Sequence, residues 1–582
     1  LPAPAGPGDG AADPAPALNA AAALVQALGD AGVDAPLWWV TQGAVSVMGE
    51  PPADATAAAL WGLGRVVGLE HPRRWGGAVD LPASVDARAA GTLAAALAAR
   101  PSGSSGEPDE QHEPEVAVRP LGVFVRRLAR MPHAELGAAR GTPWHPGRTA
   151  LVTGGTGALG GHVARWLARA GAECVVLAGR RGEAAPDAPR LREELAAAGA
   201  DVVIAACDVS DRDALADLLA GLRDQGRRID TVVHAAGAAV AGPLDHLTPE
   251  DVAEAVAAKV RGAVLLDELL GDDQPGTFVL FSSGAGVWGG AGQGAYAAAN
   301  AYLDAFAEQR RARGRAATAV AWGRWGGGGM AAGAAGRRLA RIGVPAMDPG
   351  LALEALRQAL DEDLTGVTVA DLDWPRFAAA LSLAGPRPLI AGLVPADAPA
   401  DGGADAEAAV SAPDALRERL AALPGPARYE ALLALVTAEA AAQLGHADPA
   451  GVEPQRPFRD LGFDSLAAVG LRNRLGAATG LTLPSTLAFD HPSADALAGH
   501  LERELFGADA AAVPVLDVLD RLEADLPGLS DAAGRERAAA RLAQLAERLR
   551  GAAGPPAAGG PDFDRATDDE MFDILGKEFG IS

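Results

Sequence analysis

Lysine is nearly absent from these 582 residues, which carry their positive charge on arginine and keep only Lys259 and Lys577. A compact ammonium retained where a planar guanidinium is the default marks a position that needs a point charge. Cysteine is equally scarce. Cys174 and Cys207 sit in the apolar runs CVVLAG and VVIAACDV and read as core thiols in a reducing, cytoplasmic compartment, not as a disulfide or a metal pair. No apolar run approaches the ~20 residues of a membrane span. The opening LPAPAGPGDGAADPAPA lacks the charged start and apolar centre of a signal peptide and reads as a linker, so the chain looks like the tail of a longer polypeptide. Basic tracts are missing as well. With a net charge of −25 and only isolated pairs such as Arg126-Arg127, nucleic acid is excluded as the partner. No metal site is expected.

At ~150 residues per domain, a chain this long holds three or four units. Residues 1–148 read as an α/β unit without a glycine loop: strands in PLWWVTQGAV, GGAVDLP, EVAVRP and GVFVRRL, and a helix in ATAAALWGLGRVVGLEH. Strand and helix signals then alternate over 149–394, the pattern of a doubly wound, Rossmann-type parallel sheet. An acidic Pro/Ala/Gly linker at 395–415 leads to an all-α stretch at 416–506 and a helical tail.

The run TALVTGGTGALGGHVARWLARAG goes from strand through glycines into a helix. Gly155, Gly157 and Gly160, with Thr156 and Leu159 between them, match G-x-G-x-x-G: a tight turn, close approach to a pyrophosphate, and helix-on-strand packing. About twenty residues on, where an acid would bind the ribose of NAD, stand Arg180 and Arg181. Guanidinium forks suit a 2′-phosphate, so NADPH is the expected cofactor. Asp208, with Val209 beside it, is placed either to hold the adenine edge or to cap the next helix. The turn at His234, Ala235, Ala236 and Gly237 ends a strand and would bring backbone to the cofactor.

Downstream lie Ser283 in FVLFSSGAG and Tyr296 in GAYAAANAYLD, with Asn300 one turn later on the same face. A ketone accepting hydride must gain a proton at oxygen, and a phenol can give it if a cation stabilises the phenolate. Tyr296 is the expected donor, Lys259 the cation, Ser283 the hydrogen-bond partner of the carbonyl, and Asn300 the anchor of a proton-resupplying water.

These residues resemble the ketoreductases of modular type I polyketide synthases, relatives of the short-chain dehydrogenases in which the usual Tyr-x-x-x-Lys becomes Tyr-x-x-x-Asn with the lysine upstream. The resemblance implies that 1–148 is a non-catalytic structural subdomain, shortened at its start, and 149–394 the catalytic one. It also bears on stereochemistry. Ala239, Val240 and Ala241 replace the Leu-Asp-Asp of B-type members, Trp288 fits the A-type tryptophan, and Gln293 replaces a histidine. An L-hydroxyl with an unepimerised α-substituent is implied.

In RDLGFDSLAAVGLRNRL, Ser465 stands where a helix begins, and from the residues alone an N-cap is the plainer reading. LGFDSL nevertheless resembles the attachment motif of acyl carrier proteins, which implies covalent 4′-phosphopantetheine on Ser465 installed by a phosphopantetheinyl transferase, although Gly470 departs from an often acidic position. Leucine stripes at 513–550 read as dimerising helices, and 563–582 as a docking helix for the N-terminal region of the next synthase subunit. The implied activity is reduction of a β-ketoacyl chain on its own carrier, downstream of a ketosynthase and acyltransferase. The rival readings are a relic reductase kept for tethering and a free-standing dehydrogenase of soluble alcohols.

Overall fold

The computed structural model describes residues 13–33, 35–98, 113–131, 143–238, 240–329, 333–382, 387–394, 413–444, 449–461, 463, 465–481, 483–484 and 487–506. The helices expected at 513–550 and 563–582, most of the linker, and Ala239 lie outside them. No described helix is long and apolar enough to cross a membrane.

Four strands form the first sheet in the order β1-β2-β3-β4: β1 (Leu37–Gln42), β2 (Trp75–Leu81), β3 (Glu115–Arg119) and β4 (Gly122–Val125). The first three run parallel, and β4 returns antiparallel through a tight turn. β1, β3 and β4 fall within strands expected from the sequence, and β2 begins one residue before its expected run. A fully buried carboxylate sits at the centre of this sheet. Asp80 accepts from Thr41 Oγ1 and the Ala44 amide, both at 2.8 Å, and pairs with Arg119 at 2.8 Å, so its burial is compensated.

The second sheet has seven strands: β5 (Thr149–Thr153), β6 (Cys174–Gly179), β7 (Asp201–Ala206), β8 (Thr231–His234), β9 (Thr277–Ser283), β10 (Thr318–Trp322) and β11 (Gly366–Val369). Their order is β11-β10-β9-β8-β5-β6-β7 and every pairing is parallel. Helices cover both faces, which is why β5, β6, β8, β9 and β10 are near-continuous apolar runs. The order reverses between β5 and β8, and a ligand crevice forms at the carboxyl ends of strands on either side of such a switch point. Cys174 and Cys207 are buried and free, as core thiols should be.

The two sheets meet through helices. Helix Ala55–Glu70, started by the Asp54 side chain accepting from the Thr56 amide, packs on helix Gly294–Ala312, which carries Tyr296. The approach is close: a Cβ at Gly62 would lie 2.6 Å from the Ala297 carbonyl oxygen and 2.8 Å from the Ala301 methyl.

After the second sheet come helices Pro413–Ala421, Gly425–Leu444, Ser465–Thr479, Leu487–Asp490 and Ala494–Phe506. Leu432, Val436, Leu471, Leu475, Leu497 and Leu501 are fully buried among them. Tyr429–Leu501 belongs to the same compact unit as the residues up to Ala422. Leu423–Arg428 and Glu502–Phe506 fall in a second unit, in which the Arg428 guanidinium lies 4.3 Å from the Phe506 ring centre.

Candidate active site

At the end of β5 the chain turns at Gly154, whose φ of +68° and 3.0 Å clearance from the Ala235 carbonyl admit no side chain. The tight turn thus falls one residue earlier than the sequence pattern placed it, because β5 ends at Thr153. A Cβ on Gly155 would meet Leu177 of β6 at 2.9 Å, and one on Gly160 would strike the Gly154 carbonyl. Gly157 caps helix Ala158–Arg169 without a side-chain bond, leaving a helix N-terminus of free amides at the crevice. These residues fit a dinucleotide pyrophosphate. Arg180 and Arg181, both exposed, follow directly on β6. Asp208 is occupied locally: its Oδ1 accepts from the Ser210 amide at 2.9 Å and Ser210 Oγ at 2.7 Å, and the next helix is capped instead by Asp211.

Lys259 lies in a π-helical turn, Ala257–Arg261, between two α-helical stretches. Such turns shift the facing of one side chain and recur at functional sites. Its ammonium is buried, donates to the Phe281 carbonyl at 2.8 Å, and stands 5.3 Å from the centre of the Tyr296 ring. Burial lowers it to about 8, with the Asp304 carboxylate acting in the opposite direction. His234 fixes the turn from behind. Its Nε2 donates to the Lys259 carbonyl at 2.9 Å, and its Nδ1 therefore accepts from Thr153 Oγ1 at 2.8 Å. Burial holds the ring neutral by lowering it to about 4. The backbone approach expected of Gly237 serves Lys259: a Cβ there would sit 2.9 Å from Lys259 Cε.

Burial raises the Tyr296 phenol above its usual value, while its contacts with Ser283 and Asn300 act in the opposite direction. Ser283 closes β9 and caps the helix Gly284–Trp288, its Oγ accepting from the Ala285 amide at 3.3 Å. Asn300 is fully buried; its Nδ2 donates to the Tyr296 carbonyl at 2.7 Å, and its Oδ1 has no well-formed hydrogen bond. The four residues picked from the sequence are therefore neighbours at the carboxyl end of β9, an interior strand. Asp304, one turn beyond Asn300, was not among them. Burial raises it to about 6 against Ser282, Arg126, Arg65 and Lys259.

Further residues missing from the sequence reading come from the first sheet's side. Glu70, 2% exposed, accepts from the Gly292 amide with one oxygen and the Leu244 amide with the other, both at 2.7 Å. Gln26 holds the same segment, donating to the carbonyls of Leu244 at 2.8 Å and Leu247 at 3.0 Å. Arg65 donates to the Gly286 carbonyl and Arg126 to that of Val287, with Glu115 between the two guanidiniums. The loops around Ser283 and before Tyr296 are thus held from outside the catalytic sheet. A faint signal exists in sequence: Arg65 and Glu70 are the only charges in the apolar helix Ala55–Glu70.

Comparison with known proteins matches three families along this architecture. They are the Rossmann fold domain of polyketide synthase extender module SpnB (residues 1–128), the KR domain (148–327) and the phosphopantetheine attachment site (434–501). Among solved structures, a chain titled as A-type ketoreductases from a modular polyketide synthase is 47% identical, with a TM-score of 0.59 over 64% of this chain and 76% of that one. An A1-type ketoreductase is 46% identical, with a TM-score of 0.60 over 65% and 77%. The chain belongs to the modular type I polyketide synthases. The pikromycin synthase component PikAIII of Streptomyces venezuelae is 50% identical over 84% of this chain and 31% of its own length. Less than a third of the length of the first curated relatives is spanned here.

The chain therefore holds a ketoreductase, an oxidoreductase domain, followed by an acyl carrier, and these imply NADPH and covalent phosphopantetheine respectively. In the ketoreductase, Trp288 ends the helix after Ser283 and folds back over Gly284, and its ring meets Phe377 edge-on at 5.3 Å. That is a packing role, whatever it adds to stereocontrol. Gln293 precedes the tyrosine helix and pairs with Gly242 of the segment after the His234 turn. In the carrier, Ser465 is the first residue of helix Ser465–Thr479, as its motif requires.

Proposed function

We propose that the chain forms the end of a synthase module that reduces a β-ketoacyl thioester on its own carrier to a β-hydroxyacyl thioester using NADPH. The ammonium of Lys259 beside the Tyr296 ring, at the switch-point crevice, carries this reading. The glycine turn, the N-terminus of helix Ala158–Arg169 and Arg180 with Arg181 would hold NADPH, which when bound would supply the hydride for the β-carbon. Tyr296 gives its phenolic proton to the ketone oxygen as the carbon–oxygen double bond becomes a single bond. Lys259, cationic below about 8, stabilises the phenolate that remains. Ser283 hydrogen-bonds the ketone oxygen, and Asn300 Oδ1 is the acceptor that orders a water returning the proton. The preference for NADPH rests on Arg180 and Arg181 beyond β6, where guanidiniums suit a 2′-phosphate.

The A-type outcome, an L-hydroxyl with the α-substituent unepimerised, rests on Trp288, Gln293 and the replacement of Leu-Asp-Asp by Ala239, Val240 and Ala241. Ser465 carries the arm, 513–550 joins a second copy and 563–582 meets the next subunit. A relic reductase would have no use for four converging groups held from both sheets. Replacing Tyr296 by Phe lowers NADPH oxidation with a β-ketoacyl thioester by about 10²–10⁴-fold while circular dichroism is unchanged. Turnover equal to wild type overturns the donor assignment, and a D-hydroxyl on chiral chromatography overturns the subtype.

A further inference from the structure

Helix Ala55–Glu70 ends with carbonyls that have no partner one turn on, at the negative end of its dipole. Two guanidiniums meet that end. Arg387 donates to the Gly68 carbonyl at 3.1 Å, from within the ketoreductase. The other comes from the carrier: Arg472 Nη2 donates to the Glu70 carbonyl at 2.7 Å, across 402 residues of sequence. Arg472 is 7% exposed and lies in helix Ser465–Thr479, seven residues and about two turns after Ser465.

The surroundings suit a cation. Asp245 is held below the usual carboxylate range, against its burial, by His71 at 3.2 Å and by the charges of His246 and Arg472. Burial lowers the Arg472 guanidinium to about 10, the Glu70 and Asp245 carboxylates opposing this and Arg74 adding to it. The place is also close to the chemistry. Glu70, whose carbonyl receives Arg472, holds Gly292 and Leu244 with its carboxylate, and Leu244 Cδ2 lies where a Cβ on Gly294 would be, two residues before Tyr296.

We propose that the niche formed by the Glu70 carbonyl and Asp245 is the docking surface for the chain's own carrier, with Arg472 as the residue it recognises. This rests on the reductase reading above and adds the route by which substrate arrives. The contact sets the helix bearing Ser465 near Asp245, in the segment that packs ahead of the tyrosine helix, so the tethered chain is delivered to that side of the site.

The test uses the full chain with a β-ketoacyl phosphopantetheine on Ser465. Single-turnover reduction by NADPH is compared with steady-state reduction of a diffusible β-ketoacyl N-acetylcysteamine thioester. Arg472→Glu slows the tethered reaction about tenfold and leaves the diffusible one within about twofold. Combining Arg472→Glu with Asp245→Arg recovers much of the tethered rate. A tethered rate equal to wild type, or equal losses on both substrates, overturns the docking role. Hydrogen exchange gives a readout independent of turnover: amides of 244–247 and 68–71 exchange faster in Arg472→Glu than in the parent chain. Unchanged exchange overturns the proposal, whereas a parent chain that protects these amides yet reduces nothing overturns only the reductase reading.

Discussion

Lys259 shows what a single buried charge does at residue scale. Reduction needs the ammonium to balance the phenolate, so kcat/KM for a diffusible β-ketoacyl thioester falls about tenfold per pH unit once pH rises past the lysine's value of about 8. A profile flat well beyond that value removes Lys259 from the role. Stability runs the opposite way. An unfolded lysine keeps its proton up to 10.5, the folded one only to about 8, so between these values the unfolded state binds more protons and folding strengthens as pH rises. The thermal midpoint of the parent chain should therefore gain on that of Lys259→Met across this window. Lys259, Ser283, Tyr296 and Asn300 were legible in sequence because each belongs to a local pattern or is a rare residue type. Glu70 and Asp304 were not. Glu70 acquires meaning from amides 174 and 222 residues away, and no spacing rule reaches that far.

Among elements, the alternation of apolar strands and amphipathic helices was read from periodicity, since strands covered on both faces must be apolar throughout. The glycine turn was misplaced by one residue because its left-handed position depends on where β5 stops pairing, which the glycine spacing does not encode. Packing between elements was hidden as well, including the hold of the helix Ala55–Glu70 on the loops near Tyr296. Glu70→Ala strands two buried amides and costs about 3 kcal/mol of stability. Beyond that loss, KM for a diffusible β-ketoacyl thioester rises and the diastereomeric purity of the product erodes. Glu70→Gln, which restores one of the two acceptors, recovers part of both. Parent-like stereochemical purity from Glu70→Ala at a temperature where it is folded shows that the loops do not need this hold.

For the molecule as a whole, a proline- and alanine-rich acidic stretch interrupts the periodicity of the sequence ahead of the carrier helices. The contact of Arg472 with the Glu70 carbonyl was beyond sequence, because a helical arginine looks like any solvated one until its partner is known. Ser465→Ala abolishes the mass gain from phosphopantetheinyl transfer and with it all tethered reduction, yet leaves turnover of a diffusible β-ketoacyl thioester intact; a mass gain that survives moves the attachment point elsewhere. The contact at Gly62 has a consequence for chimaeras. Where a helix from one half meets Ala297 and Ala301 of the other without room for a methyl, the halves cannot be exchanged separately. A crossover between the two sheets would set a foreign surface against the tyrosine helix, whereas one ahead of Ala15 transplants both fitted surfaces as a single cassette.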